Sequence, residues 1–261
     1  MARGATLYVT LEPCAHRSGR GPACADLIAP SGLAVVVGAL EDPDPRTAGT
    51  GYARIAEAGI LVRRIASGEA EQSLTGYLAQ KRLGRPHVTL KLATSLDGCI
   101  ALASGESRWI TGPVARGHVH SRRALADAIL VGGGTWRSDK PRLDVRLPGL
   151  EERSPERLVL TRGDAPDKAK SVGSPESIHD LPDIQYLYVE GGAQTAAAFL
   201  AADLVDRLEL YRAPILIGEG RPALGDLDPR SLDEAHGRWQ LAESAQLGSD
   251  RFEAYQRTRE D

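Results

Sequence analysis

The chain has 261 residues, enough for one large or two ordinary domains with a substantial core, and two is the expectation. Its formal charge of −3, with acidic and basic residues interspersed, provides no footprint for gripping a phosphate polymer and argues against nucleic acid as a partner. No apolar run is long enough to span a bilayer, and the N-terminal MARGATLYVTLEPC lacks the layout of a signal peptide, so a cytoplasmic protein with no membrane partner is expected.

In chain order, residues 6–11 read as a strand, 22–29 as a helix, 33–40 as a strand, 52–58 as a helix and 60–65 as a strand, which is α/β alternation. Val35, Val36 and Val37 form a continuous apolar run suited to a strand covered on both faces. A polar helix begins at Ser67, with Glu69 and Glu71 in its early turns and Lys81 and Arg82 at its end, the charge order that the helix dipole favours. Gly84 and Pro86 stop it, and a new strand pattern follows at once, so the domain boundary is placed between residues 84 and 85. Beyond it, strands are expected at 87–93, 128–132, 157–160, 184–190 and 207–213, with two more near the C-terminus. Helices are expected at 113–125 and 193–201, and the polar, proline-containing stretch 147–155 reads as a surface loop.

Three cysteines, Cys14, Cys24 and Cys99, are too few and too odd in number for a disulfide framework, which leaves metal ligation or burial. Cys14 follows the first strand and Cys24 lies just inside the predicted helix, a position that lowers a thiol pKa and favours metal binding. Zinc nucleobase deaminases combine a His-x-Glu element with a later Pro-Cys…Cys element. Only the second is present, with nine residues between its cysteines where Cys-x-x-Cys is generic, and no His-x-Glu occurs anywhere in the sequence. His16, two residues from Cys14, reads as a loop residue in preference to a substitute ligand, and Cys99 as a buried thiol.

In the second segment, Gly132-Gly133-Gly134-Thr135 and Glu190-Gly191-Gly192-Ala193 each follow a predicted strand, and the second opens a helix. Small residues at such turns let backbone N–H groups approach phosphate, and two in one domain suggest a nucleotide, although either alone is equally a tight βα turn.

The run GATLYVTLEPCAHRSGRGPACADLI, followed by EDPDPRTAGTGYARIAEAGI, resembles the deaminase half of the bifunctional riboflavin-biosynthesis deaminase/reductase family. LKLATSLDGCIA, SGESRWITG, ILVGGGTWRSDKPRLDVR and YVEGGAQTAAAFL, in that order, resemble its reductase half. The resemblance implies a fold of two α/β domains. Residues 1–84 would form an incomplete cytidine-deaminase-like domain lacking its His-x-Glu part, and 85–261 a dihydrofolate-reductase-like domain with a mixed central sheet. It also implies NADPH-dependent reduction of the ribosyl moiety of 5-amino-6-(5-phosphoribosylamino)uracil to a ribityl chain, with homodimers through the reductase domain. The deaminase, a zinc hydrolase, would hold its metal on Cys14 and Cys24, an incomplete set, so truncation is expected, with apolar surface left exposed. The alternative is a fragment of a bifunctional enzyme that deaminates only as the full-length chain. A third reading, a non-catalytic module, is opposed by the intact SGESRW, GGGT and VEGG elements.

Carried over by position, nicotinamide-nucleotide contacts would fall on Ala93, Trp109, Thr135, Asp139 and the run Gly192, Ala193, Gln194, Thr195, Ala196, Ala197 and Ala198. Substrate contacts would fall on Ser107, Arg123, Leu143, Arg146 and Glu190, the two arginines offering forked donors to a phosphate monoester. Protonation of the sugar ring oxygen needs a carboxylic acid or an ammonium. Asp139 is ranked first as proton relay, with Lys91 and Glu190 as the other candidates and Lys91 holding substrate or phosphate. The strand at 157–160 ends next to Arg162, which is expected to meet the 2′-phosphate that distinguishes NADPH from NADH. Trp136 and Trp239 read as packing.

Overall fold

The computed structural model describes residues 2–19, 21–163, 168–225, 227 and 232–259. The chain divides into two compact units, Met1–Gly84 and Arg85–Asp261.

In the first unit β1 (Thr6–Leu11), β2 (Val35–Leu40) and β3 (Leu61–Arg64) form a parallel sheet in the order β1-β2-β3. Helices α1 (Cys24–Ile28) and α2 (Thr50–Glu57) supply its crossovers. Val36, Val37 and Gly38 are buried in succession because β2 is covered on both faces. Ala25, Val36, Ile55 and Ile60 form the small core. Gly38 is required there: a Cβ would stand 1.8 Å from the Tyr52 hydroxyl, which donates to the Leu40 carbonyl at 2.9 Å. Tyr8, Leu27, Leu61 and Ile65 are exposed. The polar helix expected from Ser67 is two helices, α3 (Gly68–Ser73) and α4 (Thr75–Leu83). Leu74 lies between them outside helical geometry, in a run of weak helix formers, Ser73, Thr75 and Gly76. Ser67 Oγ caps α3 by accepting from Ala70 N at 3.2 Å.

The second unit is built on an eight-stranded mixed sheet. Its members are β4 (His87–Thr94), β6 (Ala128–Gly132), β7 (Glu156–Leu160), β8 (Lys170–Val172), β9 (Tyr186–Val189), β10 (Arg207–Arg212), β12 (Trp239–Leu247) and β13 (Asp250–Arg257). Strands β10-β4-β9-β6-β7-β8 run parallel in that order, and the hairpin β12-β13 joins β10 antiparallel. A small ribbon pairs β5 (Cys99–Ala101) with β11 (Arg221–Pro222). Helices α5 (Pro113–Arg123), α6 (Gly133–Asp139), α7 (Ala193–Ala201) and α8 (Leu232–Ala235) complete the unit.

Strand alternation sorts the side chains into two cores. Val88, Leu90, Leu130, Leu187 and Val189 meet α7 through Ala196 and Phe199. Ile129, Val131, Tyr188 and Tyr211 meet α5 through Ala115 and Val119. By the same parity Lys91 and Ala93 belong to the α5 face. The mixed sheet follows the sequence-based expectation, whereas α6 and β8 were not anticipated. Two of the seven residues of α6 are glycines, each unfavourable in a helix by about 1 kcal/mol, so this helix exists through its packing.

Arg85 anchors the start of β4. Its guanidinium forks onto Asp206, Nη1 to Oδ2 at 2.7 Å and Nη2 to Oδ1 at 2.9 Å, and both side chains are buried. Arg85→Ala leaves Asp206 charged and underpaired, so a loss of about 3–5 kcal/mol is expected. The unit's unfolding midpoint in a thermal scan should fall by roughly 6–20 °C; an unchanged midpoint would show that the pair carries no stability.

Candidate active site

Strands β4, β9 and β6 are adjacent, and their C-terminal ends place the two glycine turns side by side. Thr195, buried in the first turn of α7, joins them. A Cβ at Gly132 would stand 2.3 Å from Thr195 Oγ1, and one at Gly191 would stand 2.4 Å from Thr195 Cβ. Across the gap, a Cβ at Gly192 would stand 3.5 Å from Thr135 Oγ1. These contacts make one cradle of bare backbone at the N-terminus of a nine-residue helix, where N–H groups and dipole favour an anion. Gly191→Ala overpacks Thr195 and should destabilise by about 1–3 kcal/mol. Thermal unfolding checks this, and an unchanged midpoint would mean that the turn relaxes around the added methyl group.

Beside the cradle lies a charged cluster. Lys91 in β4, Arg123 at the end of α5 and Glu190 just after β9 converge under α5. Arg123 donates Nε to Glu190 Oε1 at 2.6 Å and Nη2 to Oε2 at 2.9 Å, and Lys91 Nζ is 3.7 Å from Oε2. Burial pushes the Glu190 carboxyl up, but the Lys91 ammonium and the Arg123 guanidinium outweigh it and hold the group at about 2. Glu190 is therefore held as an ionised acceptor. The remaining Arg123 contact, Nη1 to the Asp144 carbonyl at 3.0 Å, ties the cluster to the loop carrying Leu143 and Arg146. His120 Nδ1 lies 3.1 Å from the same carbonyl, which can only accept, so this nitrogen carries the proton. The Asp144 carboxylate receives Arg146 Nε at 2.9 Å and Arg142 Nη2 at 2.8 Å.

Neighbouring Arg122 turns to a different carboxylate, Glu209, at 2.6 Å. Glu209 is fully buried and also accepts the Tyr188 hydroxyl at 2.9 Å and Arg207 Nε at 3.1 Å. Asp144, His120, Glu209 and Tyr188 were not picked out from the sequence. The available signal was a lone glutamate inside the strand RLELY, in register with Lys91.

The other expected site residues occupy distinct places. Ala93 is half-buried two positions beyond Lys91 on the same face. Thr135 is half-buried at the start of α6, while Asp139 closes that helix exposed, accepting the Ser138 hydroxyl at 2.9 Å. Arg108 Nη2 donates to the Asp139 carbonyl at 3.2 Å and so links α6 to the loop carrying Ser107 and Trp109, both exposed. The Arg116 guanidinium lies 4.6 Å from the centre of the Trp109 ring, a cation–π contact. Arg162 is exposed just beyond β7. Leu143 is buried with φ at +54°, and Arg146 is half exposed. In the run 192–198 the structure narrows the expectation. Ala196 has no exposed surface, and Ala196 and Ala197 face inward, so they pack, whereas Gly192, Ala193 and Gln194 carry surface at the cradle and Ala198 is half-buried.

In the first unit, Cys14 Sγ accepts Cys24 N at 3.2 Å at the start of α1, and the neighbouring Cys14 side chain, with burial, raises the Cys24 pKa, where a helix-start thiol was expected to be lowered. His16 Nδ1 is within 3.1 Å of Thr47 Oγ1, and Glu12 is buried as an acceptor for the backbone of Asp42, Gly49 and Tyr52. Among the described residues no group of three or more metal-ligating side chains comes together. The two thiols by themselves do not fit an open catalytic zinc site, which takes three protein ligands, and no deamination step follows from them.

A parallel sheet extended by an antiparallel hairpin, with a glycine cradle and a charged cluster at its C-terminal edge, defines the second unit as a dihydrofolate-reductase-like reductase domain. The family model described as RibD C-terminal domain matches residues 86–178 and 176–252. The riboflavin biosynthesis protein RibD of Mycobacterium tuberculosis is 38% identical over 266 residues, covering 96% of this chain and 78% of that protein. The Escherichia coli RibD is 37% identical, covering 94% and 78%. The solved structure of Acinetobacter baumannii RibD is similar with a TM-score of 0.85 at 34% identity, covering 99% of this chain and 82% of that one. A Thermotoga maritima diaminohydroxyphosphoribosylaminopyrimidine deaminase/5-amino-6-(5-phosphoribosylamino)uracil reductase is similar with a TM-score of 0.83 at 29% identity, covering 98% and 80%. The chain belongs to the RibD family, and it is a riboflavin-biosynthesis enzyme with a reductase domain. No helix among the described residues is long and apolar enough to cross a membrane.

Proposed function

We propose that the second unit reduces the ribosyl moiety of 5-amino-6-(5-phosphoribosylamino)uracil to the ribitylamino product with NADPH. The observation that carries this reading is the Lys91–Glu190–Arg123 cluster lying beside a cradle that admits backbone only. The cradle fits a dinucleotide pyrophosphate, since side chains are excluded at Gly132 and Gly191 and the N–H groups of Gly192, Ala193 and Gln194 lie at a helix start. Ala93, Trp109, Thr135 and Asp139 complete the nucleotide contacts.

Bound in the cradle, NADPH would supply a hydride for the anomeric carbon. As that C–H bond forms, the bond from the anomeric carbon to the ring oxygen breaks, and the oxygen takes a proton. The Lys91 ammonium is the donor best placed to provide it, because Glu190 holds it in position while remaining ionised itself. This reverses the sequence-based ranking: Asp139 lies exposed at the end of α6 and is assigned to the cofactor. Among the described residues, Arg123 keeps one N–H free on each terminal nitrogen after serving Glu190 and Asp144, and Arg146 keeps both terminal nitrogens free beyond its Nε contact. Together with Ser107 and the Leu143 backbone they form the clamp for the substrate phosphate. The substrate thus lies between a phosphate clamp and a proton donor, with its anomeric carbon turned to the cofactor.

The test is NADPH oxidation by the purified protein, followed by absorbance, with the deaminated aminouracil phosphoribosyl compound as substrate. Stoichiometric formation of the ribitylamino product is expected. Tight NADPH binding without turnover would remove the substrate assignment.

A further inference from the structure

We infer that Arg137 is a second ligand of the cofactor's 2′-phosphate, in addition to Arg162 at the end of β7, and that this pair sets the preference for NADPH over NADH. The inference rests on the dinucleotide reading of the cradle and adds a residue to it. Arg137 is an exposed residue of α6, and no hydrogen bond or ion pair engages it among the described residues. Its Nη1 is nevertheless held close to the backbone, 3.2 Å from the point where a Cβ on Gly133 would stand. The Leu160 carbonyl oxygen and Thr161 Cβ lie 3.4 Å and 3.5 Å from the same point. A guanidinium therefore occupies the space left by the missing side chain of Gly133, at the C-terminal end of β7.

That location matters because of the strand order. The cradle lies where β9 and β6 end, and β7 is the next strand outward. In open α/β sheets that bind a dinucleotide, the pyrophosphate sits at the glycine turn and the adenosine ribose reaches the end of the adjoining strand, where an acidic residue reads a 2′-hydroxyl or an arginine accommodates a 2′-phosphate. Leu160, Thr161, Arg162 and Gly163 follow in order at the end of β7, and none of these described residues is acidic. Arg137, whose guanidinium reaches this turn, and Arg162, next to Thr161 in the chain, are engaged by no hydrogen bond or ion pair among the described residues, and the Thr161 hydroxyl accepts Gly163 N at 3.2 Å. A phosphate monoester, doubly charged and rich in acceptors, matches such a pair, whereas the 2′-hydroxyl of NADH offers neither charge nor acceptors enough to engage both. The arrangement also accounts for the glycine at 133, since a side chain there would push the guanidinium off the turn.

Arg157 provides the control. It lines, with Trp136, Arg137, Lys140, Pro141 and Arg142, an adjoining cavity of about 460 Å³, so it contributes to the local positive potential without reaching the Gly133 turn. Dissociation constants of NADPH and NADH would be measured by quenching of protein fluorescence for the full chain and for Arg137→Ala, Arg137→Gln, Arg162→Ala and Arg157→Ala. Displacement by adenosine 2′,5′-bisphosphate against adenosine 5′-monophosphate would report on the phosphate alone. Arg137→Ala and Arg137→Gln should each shrink the NADPH-over-NADH ratio by roughly 10- to 100-fold, through weaker NADPH binding, as loss of a charge-assisted hydrogen bond predicts. Arg162→Ala should act in the same direction, and Arg157→Ala should leave the ratio within about twofold. An undiminished ratio in both Arg137 variants, or an equal collapse in Arg157→Ala, would overturn the inference while leaving the cofactor assignment standing. A parent protein that binds NADH as tightly as NADPH, or binds neither, would remove the NADPH reading itself, and this inference with it.

Discussion

Glu190→Gln is expected to destabilise the second unit by about 3 kcal/mol and to lower kcat/KM by at least roughly 100-fold. Among the described residues this carboxylate is the one anion paired with Lys91, and it takes two of the three hydrogen bonds made by Arg123. A neutral amide leaves two largely buried cations facing each other without a counter-ion. Thermal unfolding should register this as a midpoint lower by roughly 6–12 °C. The pH dependence provides an independent readout with a definite sign. Glu190 is depressed from its ordinary 4.5 to about 2 in the folded protein, so its contribution is fully present above the unfolded value and is lost as pH falls from 4.5 toward 2. The difference in unfolding free energy between parent and Glu190→Gln, from urea titrations across that window, should shrink by about 3 kcal/mol as the solution is acidified. A difference that stays flat with pH would mean that the carboxylate is not held ionised by its neighbours. The NADPH dissociation constant should change little, because the cradle is built from other residues.

Lys91→Met is expected to lower kcat by roughly 10²- to 10⁴-fold, the range associated with loss of a positioned general acid. The substitution keeps the length of the side chain and leaves Glu190 paired with Arg123, so its effect on stability should be only about 1 kcal/mol, well below that of Glu190→Gln. Single-turnover oxidation of bound NADPH separates the hydride step from binding and product release. A variant retaining kcat within about fivefold would show that the proton comes from another group, and Asp139→Asn would then become the informative substitution. A variant that lost NADPH binding in place of turnover would move Lys91 from the substrate to the cofactor.

Several elements were legible because their signals are local. Residues 128–132 form an unbroken apolar run that emerges as the fully buried β6, and 193–201 emerge as α7 with those bounds. Lys81 and Arg82 stand in the last turn of α4, as the charge order suggested, although the helix is interrupted at Leu74. By contrast α6 was read only as a turn, because Gly133 and Gly134 make its helicity locally unfavourable and only tertiary contacts sustain it. The short strand β8 has just three residues, too few for a period-two pattern to stand out.

The ordered motifs of the chain, by themselves, determine its family and the kind of fold it adopts, since short runs such as VGGGTWRSDKPRLDVR and YVEGGAQTAAAFL bring together side-chain types that one particular turn requires. What only the tertiary structure decided is which charges meet. Arg122 and Arg123 are adjacent in sequence yet serve Glu209 and Glu190, partners 87 and 67 residues away, because successive positions at the end of α5 point along different directions over a sheet whose register is set elsewhere. The ionised state of Glu190, the placement of Lys91 against it, and the guanidinium of Arg137 in the space above Gly133 all arise in the same way. Coulomb energy and steric exclusion depend on distance in space, and that distance is not encoded in local spacing.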